Sequence, residues 1–212
     1  MSPFLLVLSS PSGVGKTTIA RQLLERRADV GYSVSATTRS PRPGEEHGRS
    51  YWFLSEVEFE AEVQAGAFVE HARYNANRYG TLKREVERLF ALGKHVVMDI
   101  EVEGARQVRR QVAEAVFVFI LPPSGTELVK RLGGRGTETS TVLKHRLAIA
   151  NDELKAVTEY DYVVVNDDLE RAIAQVSAIL DAEGHRVSRH RELAQQVEQI
   201  RREVAAAAMR LD

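Results

Sequence analysis

The sequence predicts an α/β fold: a phosphate-loop (P-loop) parallel sheet core with helices on both faces, plus a small mixed β/α insertion and a helical lid. Three observations carry this. Continuous apolar runs of strand length at residues 4–8, 96–100, 116–121 and 162–165 alternate with helical patterns at 18–27, 82–92, 102–112 and 169–180. Strands with no polar alternation are those buried on both faces, and strand–helix alternation implies right-handed parallel crossovers. A glycine-rich turn joins the first strand to the first helix, and two polar stretches at 39–51 and 122–151 interrupt the alternation.

The first turn, residues 10–17, reads Ser-Pro-Ser-Gly-Val-Gly-Lys-Thr. Successive backbone N–H groups in such a turn point inward and grip oxyanions, and the following helix adds its positive end. The loop residues Ser12, Gly13, Val14, Gly15, Lys16, Thr17 and Thr18 are therefore expected to hold a nucleoside triphosphate. Lys16 would reach the β- and γ-phosphates and the Thr17 hydroxyl would ligate Mg²⁺. The motif calls for glycine where Ser10 stands, which reduces backbone freedom there. An ordinary strand–turn–helix is the alternative.

Residues 30–35 read as the second strand. The stretch that follows is rich in Pro, Gly, Arg and Glu and leads to short β-like pieces near 51–53 and 68–72, an insertion with its own small sheet. In it Arg39 and Arg42 stand three residues apart among prolines. The guanidinium fork suits a phosphate, and Tyr51 and Tyr79 could donate phenolic O–H groups to the same anion. A solvated basic turn is the competing reading. Asp99 ends an apolar strand, where the second acidic residue of phosphate-loop enzymes sits; a strand-end cap is the alternative. The 122–151 stretch carries glycines at 133, 134 and 136 around Arg135, a lid pattern.

The tail beyond Gly184 differs. Leu193, Val197, Ile200, Val204, Ala207 and Leu211 alternate in spacing between four and three, one apolar stripe on an otherwise polar helix. Such a helix either packs on its own subunit or pairs across a homo-oligomer. The basic run at 185–191 before it is expected to be a solvated face.

Composition narrows the function. Hydrophobic residues make up 43% and charged residues 28%, the profile of a soluble domain. A net charge of −1 and few aromatics argue against nucleic acid as partner. The absence of cysteine excludes disulfides and thiolate metal sites. The apolar run at the N-terminus is too short for a secretory signal and no segment suits a membrane span, so no membrane role and a cytoplasmic location are expected.

Taken together, several motifs resemble the guanylate kinase family: residues 33–45, Phe68-Val-Glu70, Tyr79-Gly80-Thr81, Asp99-Ile100-Glu101 with Gly104, Gly-Arg-Gly at 134–136, and Val165-Asn166-Asp167. The resemblance spans roughly residues 3–184 in the family's order. It implies a domain over 1–184, with core 1–34, 82–121 and 152–184, a GMP-binding insertion 35–81 and a lid 122–151; the tail 185–212 lies outside it. It implies transfer of the γ-phosphoryl group of ATP to GMP or dGMP, with Mg²⁺. By the same resemblance GMP phosphate meets Arg39, Arg42, Tyr51 and Tyr79, and guanine meets Ser35, Glu70 and Thr81. Asp99 lies close to GMP and reaches the metal through water. Arg131, Arg135 and Arg146 close over the phosphates, and Asn166 lies near adenine. Lys16, Arg39, Arg135 and Arg146 would carry catalysis. An inactive interaction module on the same fold is the alternative. Glu101, Glu103 and Arg78 depart from the family's usual residues, Arg78 adding charge near the site.

Overall fold

The computed structural model describes residues 2–74, 76–133 and 140–209. In chain order the elements are β1 (Leu5–Ser9), α1 (Lys16–Arg26), β2 (Val30–Tyr32), β3 (Ala36–Thr37), β4 (Trp52–Phe53), α2 (Glu56–Gln64), β5 (Phe68–Tyr74) and β6 (Asn77–Leu82). They continue with α3 (Lys83–Ala91), β7 (His95–Asp99), α4 (Val102–Gln111), β8 (Val116–Leu121), α5 (Gly125–Gly133), α6 (Ser140–Leu154), β9 (Tyr162–Val165), α7 (Leu169–Gly184) and α8 (Leu193–Ala208).

Five strands form a wholly parallel sheet in the order β2-β7-β1-β8-β9. Its central strand β1 is apolar on both faces because each face carries a helical layer. Leu6 and Leu8 pack with Ile19 and Leu23 of α1 and Val176 and Leu180 of α7. Leu5 and Val7 pack oppositely with Val86 and Leu89 of α3 and Val108 of α4.

The insertion forms a second, mixed sheet ordered β4-β3-β6-β5. It has its own small core of Ala36, Phe59, Phe68 and Leu82, with the Phe59 and Phe68 rings stacked at 4.5 Å. The expected second strand at 30–35 divides here: β2 stays in the core sheet, and the chain crosses to β3 in the second. Helix α2, which residues 56–64 show no apolar stripe to predict, buries Phe59 alone and is started by a capping box between Ser55 and Glu58. The insertion docks on α4, where the Gln107 side chain accepts from the His71 N–H at 3.0 Å and donates to the His71 carbonyl at 2.9 Å.

The expectation that 185–191 is a solvated basic face fits His185, Arg186 and Arg191, which are exposed, but needs correction at Arg189. Arg189 is only 4% exposed. It lies over the Phe4 ring at 4.1 Å and donates to Glu183 at 3.2 Å, so an apolar ring and a buried carboxylate draw it inward. Helix α8 buries none of its residues; Val197, Ile200 and Val204 stand exposed, which departs from a helix packed on its own subunit. Among the described residues, no helix is long and apolar enough to cross a membrane.

Candidate active site

The site forms at the carboxyl ends of β1, β7, β8 and β9, where open parallel sheets leave a crevice. The loop after β1 turns through Gly13 and Gly15, at φ of 81° and 99°, a backbone region that favours glycine. Gly15 directly precedes α1, and a Cβ there would stand 2.7 Å from Asn166 Nδ2. Val14 is fully buried, while Ser12, Gly13, Thr17 and Thr18 face solvent. Ser10 is buried and donates to the Pro11 carbonyl at 2.9 Å, so the small hydroxyl residue fits where the motif prefers glycine.

Several of the expected residues brace this loop. Asn166 donates from Nδ2 to the Val14 carbonyl at 2.7 Å. Arg131 donates to the Val14 and Asn166 carbonyls at 3.4 and 3.3 Å and to Glu127 at 2.9 Å. Arg146, on α6, reaches Ser12 Oγ at 3.2 Å and the Leu132 carbonyl at 3.3 Å. Arg135 lies outside the described residues.

Lys16 donates to the Ile100 carbonyl at 2.8 Å. Burial pushes its ammonium below the ordinary lysine range, opposed by the charges of Asp99, Glu101 and Glu153. A partly buried cation whose direct partner among the described residues is a neutral carbonyl is primed for an anion. Thr17 Oγ1 donates to Asp99 Oδ2 at 2.8 Å, which puts the hydroxyl and the carboxylate side by side. Hard oxygens in this arrangement suit Mg²⁺.

Opposite the loop, a cavity of about 400 Å³ is lined by residues of both sheets, among them Ser35, Tyr51, Glu70, Tyr79, Thr81 and Asp99. Glu70, at 6% exposed, accepts from Thr81 Oγ1 at 2.7 Å. Burial pushes its carboxyl above the usual range, while Thr81 and the Lys16 charge act the other way. The close approach of α4 is made through Gly104, where a Cβ would stand 3.1 Å from Glu70 Oε2.

At the cavity mouth, Tyr51 and Tyr79 meet edge to face at 6.3 Å. Arg39 lies over the Tyr51 ring at 5.4 Å and donates to both oxygens of Glu45 at 2.8 and 2.9 Å. Glu45 also accepts the Arg42 backbone N–H at 2.7 Å. The Arg42 side chain is exposed and stands apart from the cavity lining. Arg78, expected to add charge near the site, instead stacks over Phe59 at 4.5 Å and pairs with Glu60 at 2.7 Å. Alternation along β6 explains this: Tyr79 and Arg78 point to opposite faces.

Tyr32, Arg73 and Glu153 also stand at the site, and no sequence motif points to them. Tyr32, at the end of β2, donates to Asp99 Oδ1 at 3.0 Å. Although Tyr32 as a whole is 43% exposed, loss of water around its hydroxyl and the Asp99 charge raise its phenol above the ordinary range, so it remains a donor. Glu153, on α6, stands close enough to the loop for burial and the Glu101 charge to push its carboxyl up, against the Lys16 charge. It lies seven residues beyond Arg146, two helical turns along the same face, and that spacing was the available signal.

Known proteins are similar to this chain in sequence and in fold. A family model described as guanylate kinase matches residues 2–183. The guanylate kinase of Paramagnetospirillum magneticum is 48% identical over 190 residues, 89% of this chain and 88% of that protein. That of Dechloromonas aromatica is 45% identical over 184 residues, 87% of this chain and 91% of that protein. The crystal structure of guanylate kinase from Anaplasma phagocytophilum is similar with a TM-score of 0.74 at 35% identity, covering 93% of this chain and 94% of that one.

Proposed function

The chain belongs to the guanylate kinase family and is an ATP:GMP phosphotransferase, and we propose that the phosphate loop and the Glu70 cavity bind the two nucleotides on either side of Asp99. The observation that carries this is the placement of a buried carboxylate, Glu70, in a cavity that Thr17 and Asp99 also line, close enough to Lys16 for that charge to act on it. Guanine presents two adjacent donors, N1–H and the 2-amino group, and one carboxylate accepts both. Adenine would turn its N1 lone pair toward that carboxylate and leave buried polar groups unpaired, which rejects it strongly.

In this reading Lys16 and the N–H groups of residues 13–17 hold the donor phosphates, and Asn166, Arg131 and Arg146 keep the loop in shape. Arg39, Tyr51 and Tyr79 orient the acceptor phosphate in line, and Arg42, exposed on the same loop, is proposed to join them when the phosphate is bound. An acceptor phosphate oxygen attacks the γ-phosphorus as the bond to the bridging β–γ oxygen breaks, giving GDP and ADP. The acceptor oxygen is already anionic, so no general base is required. Catalysis is positioning plus stabilisation of a loose, negatively charged transition state. Thr17, with Asp99 through water, would hold Mg²⁺, which neutralises charge on the triphosphate when bound. Arg135 is proposed to add its charge from the lid. The intact Lys16, Thr17 and Arg146 weigh against an inactive interaction module.

The test is coupled ADP release with ATP, Mg²⁺ and GMP, beside AMP, CMP and UMP. Turnover with GMP alone is expected. Equal turnover with AMP would overturn the role given to Glu70, and no turnover with GMP would overturn the reading as a whole.

A further inference from the structure

Asp99 receives two hydroxyls, one from each half of the site. Thr17, on the first turn of α1, bonds Oδ2 at 2.8 Å, and Tyr32 bonds Oδ1 at 3.0 Å. A carboxylate tied through one oxygen turns about its Cβ–Cγ bond, whereas one tied through both has its plane set. Each oxygen keeps a free lone-pair direction for a further donor. Tyr32 is also the last residue of the core strand β2, and the chain enters the second sheet at Ala36. The phenol therefore stands where the core hands over to the insertion, and it lines the cavity with Ser33 and Ser35.

We propose that Tyr32 is a positioning residue for phosphoryl transfer, holding the Asp99 carboxylate in one orientation between the two nucleotides. The inference rests on the ATP:GMP reading above. Thr17 references the carboxylate to the donor loop, and Tyr32 references it to the strand that leads into the acceptor insertion. Loss of the phenolic O–H frees the carboxylate without removing it, so the effect belongs on the chemical step rather than on the binding of either nucleotide.

The experiment is Tyr32→Phe, which keeps the ring of a residue already 43% exposed. We expect kcat with ATP and GMP to fall about tenfold, the size of one hydrogen bond to a charged group. Dissociation constants for GMP and for ADP, measured separately by calorimetry without turnover, should stay within about twofold of the wild type. In urea unfolding, Tyr32→Phe should lower the midpoint in the wild-type background and leave it unchanged in an Asp99→Ala background, since the partner is then gone. A kcat within about twofold of the wild type would sink the inference. So would nucleotide affinities that fall in step with kcat, or a urea effect that persists without Asp99. Absence of GMP turnover in the wild type would instead overturn the functional reading, and this inference with it.

Discussion

The donor and acceptor halves of the site are built on opposite plans. The donor half is one contiguous loop clamped from behind by Asn166, Arg131 and Arg146. Its cation, Lys16, rests on a neutral carbonyl. The acceptor half is assembled from separate segments of two sheets, and its arginine, Arg39, rests on both oxygens of a carboxylate. A partly buried cation whose direct partner among the described residues is a neutral carbonyl lowers the cost of bringing in a phosphate. A cation already paired gives up some attraction but keeps its geometry before the ligand arrives. The donor half is thus poised by charge and the acceptor half by arrangement.

The sharpest break of that contrast is Lys16→Ala. It is expected to cut kcat about 10³-fold or more, since a charged donor to the transferring group is lost. The fold should persist, because the variant removes a buried cation rather than stranding one; a thermal melt close to the wild type checks this. Turnover near normal would remove Lys16 from the mechanism.

Glu70→Gln tests the acceptor half. An amide turns a donor toward the donors of guanine, so KM for GMP should rise about 100-fold while KM for ATP stays within about twofold. The variant also carries a pH signature. Burial raises the Glu70 carboxyl in the fold above its ordinary 4.5. The protonated form is therefore the one the fold favours, and the wild type loses that stability as pH rises through the raised value. Glu70→Gln should accordingly be more stable than the wild type above that range and gain nothing well below pH 4.5. Melting temperatures across pH 4 to 8 decide it, and a pH-independent difference would contradict a buried, raised carboxyl.

The same contrast explains what was legible in the sequence. The donor loop is contiguous, so the order of strand, turn and helix is visible in residues 4–27. The core strands were legible because burial on both faces leaves unbroken apolar runs. The acceptor cavity is scattered, and only the family resemblance gathered Ser35, Glu70 and Thr81 in advance. Tyr32 was passed over because a tyrosine at a strand end carries no local sign of its partner 67 residues away. A helix fits the mixed β/α insertion expected there, but residues 56–64 do not locate it, because Phe59 is fully buried and Val63 only partly, too few to make a periodic stripe. Arg189 was misjudged because its partners, Phe4 and Glu183, come together only in the fold. Local chemistry is readable from sequence; pairing across long separations is not.

The gentlest test loosens the acceptor half without touching a residue assigned to either nucleotide. Glu45 holds the Arg39 guanidinium through both oxygens and accepts the Arg42 N–H, so one side chain ties the two arginines of the loop together. Glu45→Gln keeps the size and one acceptor but loses the charge and one of the two oxygens that accept from Arg39 Nη2. Two effects then oppose each other. Arg39 becomes a freer cation, which favours an incoming phosphate, and it becomes less ordered, which costs affinity. If arrangement governs the acceptor half, disorder wins and KM for GMP rises a fewfold, no more than about fivefold for a partly exposed pair. KM for ATP should not move, because Lys16 and its loop share no contact with Glu45. A fall in KM for GMP would mean that charge governs both halves, and the contrast between them would not survive it.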